Sequence, residues 1–120
     1  MTLQINSRSA ENDVTVIEIS GEISFENSEI FREKINELSD QGKNRIVIDL
    51  ANLKYMSSAG MGVLVHGLKI TRQNNGDLKL ANLDSKMRKV FLITQFTHHF
   101  GVFKNAEEAA MSFEPKKTGE

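Results

Sequence analysis

The chain has 120 residues, 39% of them hydrophobic, and 15 Lys+Arg stand against 16 Asp+Glu for a formal net charge of -1. That length fits one domain, since domains commonly run to about 100–150 residues, and such a chain can bury roughly two-thirds of its unfolded surface without staples. With Cys 0 there is no disulfide scaffold, thiol nucleophile or cysteine metal site; the balanced charge supplies no field for broad nucleic-acid binding; and no apolar run approaches the roughly 18 residues that span a membrane. The start, Met1-Thr2-Leu3-Gln4-Ile5, lacks the basic and then apolar character of a signal peptide, so a soluble cytoplasmic domain is expected.

Leu3, Ile5 and Ser7 alternate with Gln4, Asn6 and Arg8, which predicts a short strand. Glu11-Asn12-Asp13 signals a turn, and Val14, Val16, Ile17 and Ile19 make a β-branched second strand ending at Ser20-Gly21. The pair suggests a hairpin. Over residues 24–41 the period becomes helical, with Phe31, Ile35 and Leu38 on one face and Gly42 placed to end the helix. Arg45-Ile46-Val47-Ile48-Asp49-Leu50 reads as a strand covered on both faces.

A second helix is expected from Ser57–Ser58 to about Asn74, with Met61, Leu64, Val65 and Leu68 as its stripe. After the Asn75-Gly76-Asp77 turn, residues 78–83 form a fourth strand. Asp84 or Ser85 caps a third helix with Met87, Val90 and Phe91 as its apolar face. Residues 100–103 suggest a short fifth strand, and Asn105 caps a last helix carrying Ala106, Ala109, Ala110 and Phe113. The order β-β-α-β-α-β-α-β-α predicts an α/β fold, a mixed sheet of about five strands with about four helices packed on it.

The unusual stretch is Tyr55-Met56-Ser57-Ser58-Ala59-Gly60-Met61-Gly62, between a buried strand and a helix. Adjacent serines there can cap the helix, since Ser is a preferred N-cap. They can also accept a phosphate, because a helix start offers free N–H groups and a positive dipole end. Gly60 and Gly62 lack the remaining signature of a nucleotide loop, so close backbone packing is the expectation for them. A serine hydrolase has little support. The Gly-x-Ser-x-Gly pattern is absent, and His66 lies about 12 Å along the helix from Ser58, too far to take its proton. His98 and His99 have no partners at metal-ligand spacing. Glu18, Glu22, Glu26 and Glu29 read as surface charge with no acid/base couple among them.

Over roughly residues 3–113 the chain resembles the STAS-domain anti-sigma factor antagonists of bacteria. The resemblance rests on Gly21-Glu22-Ile23, on the run from Ile46 through Leu53 to Met56, on the segment from Ser57 to Leu64, on Gly76-Asp77-Leu78-Lys79-Leu80, and on Arg88-Lys89-Val90-Phe91 with Ile93-Thr94. It implies a single STAS domain over residues 1–115, a flexible tail over residues 116–120, and a switch without catalytic activity or a cofactor of its own. In the family the unmodified domain docks on an anti-sigma factor, usually a serine kinase of the GHKL ATPase type. Phosphorylation of a serine at the start of the second helix releases it, and a PPM-type phosphatase resets it. The family motif, Met-Asp-Ser-Ser/Thr-Gly-Leu-Gly, falls on Met56 to Gly62 and places the phosphoacceptor on Ser58, with Ser57 as a rival one residue away. Ser57 and Ser24 stand where the family often has Asp, and Ala59 where it has Ser or Thr. The docking surface implied is Ser24, Met56, Ser57, Ser58, Ala59, Gly60, Met61 and Gly62. The alternative is a constitutive STAS interaction subunit of a transporter or signalling complex, in which the serines only cap. A homo-oligomer is left open.

Overall fold

The computed structural model describes residues 2–93 and 99–115. Thr94, His98 and residues 116–120, the last assigned above to a tail, lie outside the described residues. The strands are β1 (Leu3–Ala10), β2 (Val14–Ile23), β3 (Arg45–Met56), β4 (Asp77–Ala81) and β5 (Val102–Phe103). The helices are α1 (Ser28–Asp40), α2 (Ser58–Gln73), α3 (Ser85–Ile93) and α4 (Ala106–Met111). The mixed α/β order expected from the sequence is the order observed.

The sheet runs β1-β2-β3-β4-β5, with β1 antiparallel to β2 and every other pairing parallel. Parallel neighbours need crossover connections, and α1, α2 and α3 supply them. Because spatial order follows chain order without reversal, α1, α2 and α3 collect on one face. Open α/β sheets form their ligand crevice where strand order reverses, and this sheet has no reversal. What the fold offers is surface.

Strand alternation divides the apolar residues between two cores. On the face of α1–α3, Ile17, Ile19, Ile46, Ile48, Leu78 and Leu80 meet Phe31 and Ile35 of α1, Leu64 of α2 and Phe91 of α3. On the other face Val14, Val16, Val47 and Ala81 meet Ala106, Ala109 and Ala110 of α4, together with Phe113. A clasp closes this second core. Asn12 in the β1–β2 turn, with φ 61, donates from Nδ2 to the carbonyls of Ala110 and Phe113. Arg45 donates to the carbonyls of Asn12 and Glu114, and Lys79 Nζ stands 4.0 Å from the centre of the Phe113 ring.

Several boundaries differ from the sequence reading. Residues 11–13 form a 3-10 turn between the strands. Helix α1 starts at Ser28, because Ser24 and Asn27 exchange side-chain-to-backbone bonds that compete with helix. β3 continues past Leu50 to Met56. Its second half pairs with Ser20–Ile23 of β2 across two register shifts, and those shifts erase the alternation that would have marked a strand. In α2 the buried stripe is Val63, Leu64, Gly67, Leu68 and Thr71, while Val65 is exposed. Val65 lies about 100° round the helix from Leu64, since a turn holds about 3.6 residues. Among the α3 residues whose burial is described only Phe91 is fully buried, and Val90 is 45% exposed beside a groove.

Candidate functional site

The serine pair sits where β3 delivers the chain into α2. The Ser57 amide donates to the Ile23 carbonyl at the end of β2, which holds the turn against the sheet. Ser57 is the N-cap, extended at φ -74 and ψ 169, and its Oγ accepts from the Gly60 amide at 3.3 Å. Its hydroxyl thus satisfies one of the otherwise unpaired amides of the first turn. Ser58 is the first helical residue. It is exposed, and its hydroxyl makes no hydrogen bond among the described residues. Two neighbouring serines have therefore taken different places, one inside the cap and one in solvent.

The glycines also divide. A Cβ on Gly60 would stand 2.7 Å from Met56 Cγ and 2.8 Å from Ile23 Cγ2, so α2 meets β2 and β3 there through bare backbone. A Cβ on Gly62 would meet nothing within 4 Å. The expectation of close packing holds at Gly60 and is corrected at Gly62, which points to solvent. Gly60→Val is expected to cost about 1–3 kcal/mol through overpacking. Gly62→Ala is expected to stabilise by up to about 1 kcal/mol through helix propensity. Thermal denaturation checks both, and a lowered Tm for Gly62→Ala would contradict the open space around it.

Ser24 is buried, 6% exposed, and its Oγ accepts from the Asn27 amide while its own amide donates to Asn27 Oδ1. It was expected on the docking surface, but it lies inside the turn that turns Phe25 outward to 80% exposure. Gly21 explains the Gly-Glu-Ile signature. Its φ is +94 and a Cβ would collide with the Thr2 carbonyl, so only glycine fits that crossing of β1 and β2.

Beside the serines, Tyr55, Met56 and Met61 face Met87, Val90 and Phe91 of α3 across a groove of about 200 Å³, with Lys54, Asp84 and Lys86 on its rim. Phe25 is also exposed, on the turn that follows Ile23, whose carbonyl holds the Ser57 amide. Sequence reasoning missed Phe25, Tyr55 and the groove. A signal existed, because Phe25 and Tyr55 stand outside any helical or strand stripe. Met56, Ser57, Ala59 and Met61 are partly exposed around Ser58, and Gly60 lies beneath them.

Farther along α2, His66 Nε2 lies 2.7 Å from Asn36 Oδ1 of α1. Burial lowers the His66 pKa, with Arg32 and Lys69 acting in the same direction and Glu29 against them. A lowered folded pKa means the unfolded chain takes the proton first. Stability is therefore retained above the ordinary value of 6.5 and lost as pH falls through it, until the folded form protonates too. His66→Gln is expected to remove this step in urea unfolding midpoints between about pH 8 and pH 5. An identical pH dependence in both proteins would contradict it.

Residues 6–109 match the STAS domain family, and the chain belongs to that family. Two curated relatives sharpen the placement. The chain is 36% identical over 94 residues to the anti-sigma-B factor antagonist of Bacillus subtilis, covering 78% of this chain and 84% of that one. It is 36% identical over 95 residues to a protein described as the putative anti-sigma factor antagonist BtrV of Bordetella bronchiseptica, covering 79% and 82%. Among solved structures, the unphosphorylated form of the anti-sigma factor antagonist SpoIIAA aligns with TM-score 0.72 and 27% identity over 90% of this chain and 94% of that one. The phosphorylated form of SpoIIAA, described as a Bacillus cell fate determinant, aligns with TM-score 0.70 and 25% identity over 90% and 96%. No helix among the described residues is long and apolar enough to cross a membrane.

Proposed function

We propose that this chain is a cytoplasmic anti-sigma factor antagonist, a binding switch rather than an enzyme, which docks unphosphorylated on an anti-sigma factor of the GHKL serine-kinase type. Phosphorylation at Ser58 releases it, a PPM-type phosphatase resets it, and transcription follows the state of the switch. The observation that carries the reading is the division of labour between the serines: Ser57 is committed to the cap, and Ser58 presents a free hydroxyl at the helix start. The names of the curated relatives, and a similar structure solved in both phosphorylation states, support it.

Ser58 Oγ attacks the γ-phosphorus of ATP held by the kinase; an O–P bond forms, the bond to the ADP leaving group breaks, and the hydroxyl proton passes to a base of the kinase. The chain contributes position. β3 and the Ile23–Ser57 bond fix the helix start, and Gly60 lets α2 sit close to the sheet. Met56, Met61 and Phe25 supply an adaptable apolar contact around the hydroxyl. The test is binding to a GHKL-type anti-sigma factor from the same genome neighbourhood, in ADP and in Mg-ATP. The complex is expected to form in ADP and to disperse in Mg-ATP as the chain gains one phosphoryl group by intact mass. Binding that persists in Mg-ATP without a mass gain would assign the chain as a constitutive subunit instead.

A further inference from the structure

β1 is the outer strand of the sheet and keeps one unbroken register with β2 from Leu3↔Gly21 to Ala10↔Val14. The bond from the Glu22 amide to the Thr2 carbonyl fixes which backbone groups face inward. In an antiparallel ladder both groups of a residue point the same way, and successive residues point opposite ways. Gln4, Asn6, Arg8 and Ala10 therefore bond to β2, and the N–H and C=O of Leu3, Ile5, Ser7 and Ser9 point out of the sheet.

Proteins usually guard such an edge with Pro, a bulge, a lysine or an inward-pointing charge. β1 has no Pro, bulge or lysine. Its single charged residue, Arg8, is held back by Glu18 at 3.4 Å and Glu107 at 3.8 Å. Leu3 and Ile5 are partly buried at the rim of the larger core.

We infer that this edge receives β1 of a second copy of the chain, antiparallel, about a two-fold axis at Asn6. The side chains argue for a copy over a foreign strand. An axis at Asn6 is the one that pairs all four outward-facing residues with one another, Leu3 with Ser9 and Ile5 with Ser7 of the partner copy. On the polar face it sets Asn6 against Asn6 and Gln4 against Arg8, amide to amide and amide to guanidinium, with no like charges opposed. An axis at Arg8 would set two guanidinium groups face to face. The serines at the end of β3 lie two strands away, so this interface is independent of the switch.

The chain has no cysteine, so Asn6→Cys introduces a single thiol. Residues facing each other in a non-hydrogen-bonded pair have Cα atoms about 4.5 Å apart, within reach of a disulfide. Mild oxidation is expected to convert Asn6→Cys to a covalent dimer, and Gln4→Cys, which faces Arg8, at least about tenfold more slowly. In sedimentation equilibrium the wild-type mass is expected to rise from 13.5 kDa toward twice that value with concentration. Ser7→Pro removes an outward N–H and leaves the β2 ladder intact; it is expected to stay monomeric with unchanged circular dichroism. A wild-type chain still monomeric at about 1 mM, a weaker association than most functional dimers show, would overturn the inference. So would equal cross-linking of the two cysteine variants, a dimer indifferent to Ser7→Pro, or β1 amides protected from exchange only when a different protein is present.

Discussion

Ser58→Ala is expected to abolish phosphate uptake from the cognate kinase, and Ser57→Ala to retain most of it. Both side chains are primary alcohols, so chemistry does not choose between them; access does. Ser57 Oγ is engaged with the Gly60 amide, and a kinase would have to break that bond and open the first turn of α2 to reach it. Ser58 needs no such opening. The same contrast gives an independent readout. Ser57→Ala removes a cap and is expected to lose about 1 kcal/mol of stability, whereas Ser58→Ala is expected to melt close to wild type. Phosphopeptide mapping that places the group mainly on Ser57 would refute the assignment.

The second large effect concerns binding. Ser58→Asp is expected to weaken binding to the anti-sigma partner at least about tenfold, or 1.4 kcal/mol, with near-normal circular dichroism and Tm. A negative charge at the first helical residue meets free amides and the positive end of the dipole, so the isolated domain tolerates it. In a complex the same charge lies among Met56, Met61 and the partner surface, and an uncompensated buried charge costs several kcal/mol. Phosphate, at about -1.5 to -2 charges, is expected to act more strongly than Asp. Titration calorimetry and thermal melts on one preparation separate the two effects. Unchanged affinity, or a binding loss that only tracks unfolding, would refute the mechanism.

The sequence revealed most where local pattern and tertiary environment agreed. The stripe Phe31, Ile35, Leu38 and the caps at Asp84 and Asn105 are each where the periodicity and side-chain chemistry put them. The extension of β3 was hidden because Ala51, Asn52, Lys54 and Tyr55 are exposed, and the register shifts with β2 break any period of two. The site was legible as a pair of serines, but their separate roles were not, since one hydrogen bond to Gly60 distinguishes them. Gly62 was misread for a related reason. Two glycines a short step apart on a helix face different neighbours, and only the position of Ile23 and Met56 says which one needs to be bare.

The clasp between Asn12, Arg45 and the segment ending at Glu114 sets an order in time. Val14 and Val16 leave the ribosome well ahead of the helix and the phenylalanine that cover them. At about 5–20 residues per second, translation separates Val14 from Phe113 by roughly 5–20 s. During that interval the α1–α3 side can assemble behind the ribosome while the valine strip on the reverse of the sheet stays bare. The nascent chain thus passes through a half-dressed sheet, and completion waits for the emergence of Phe113.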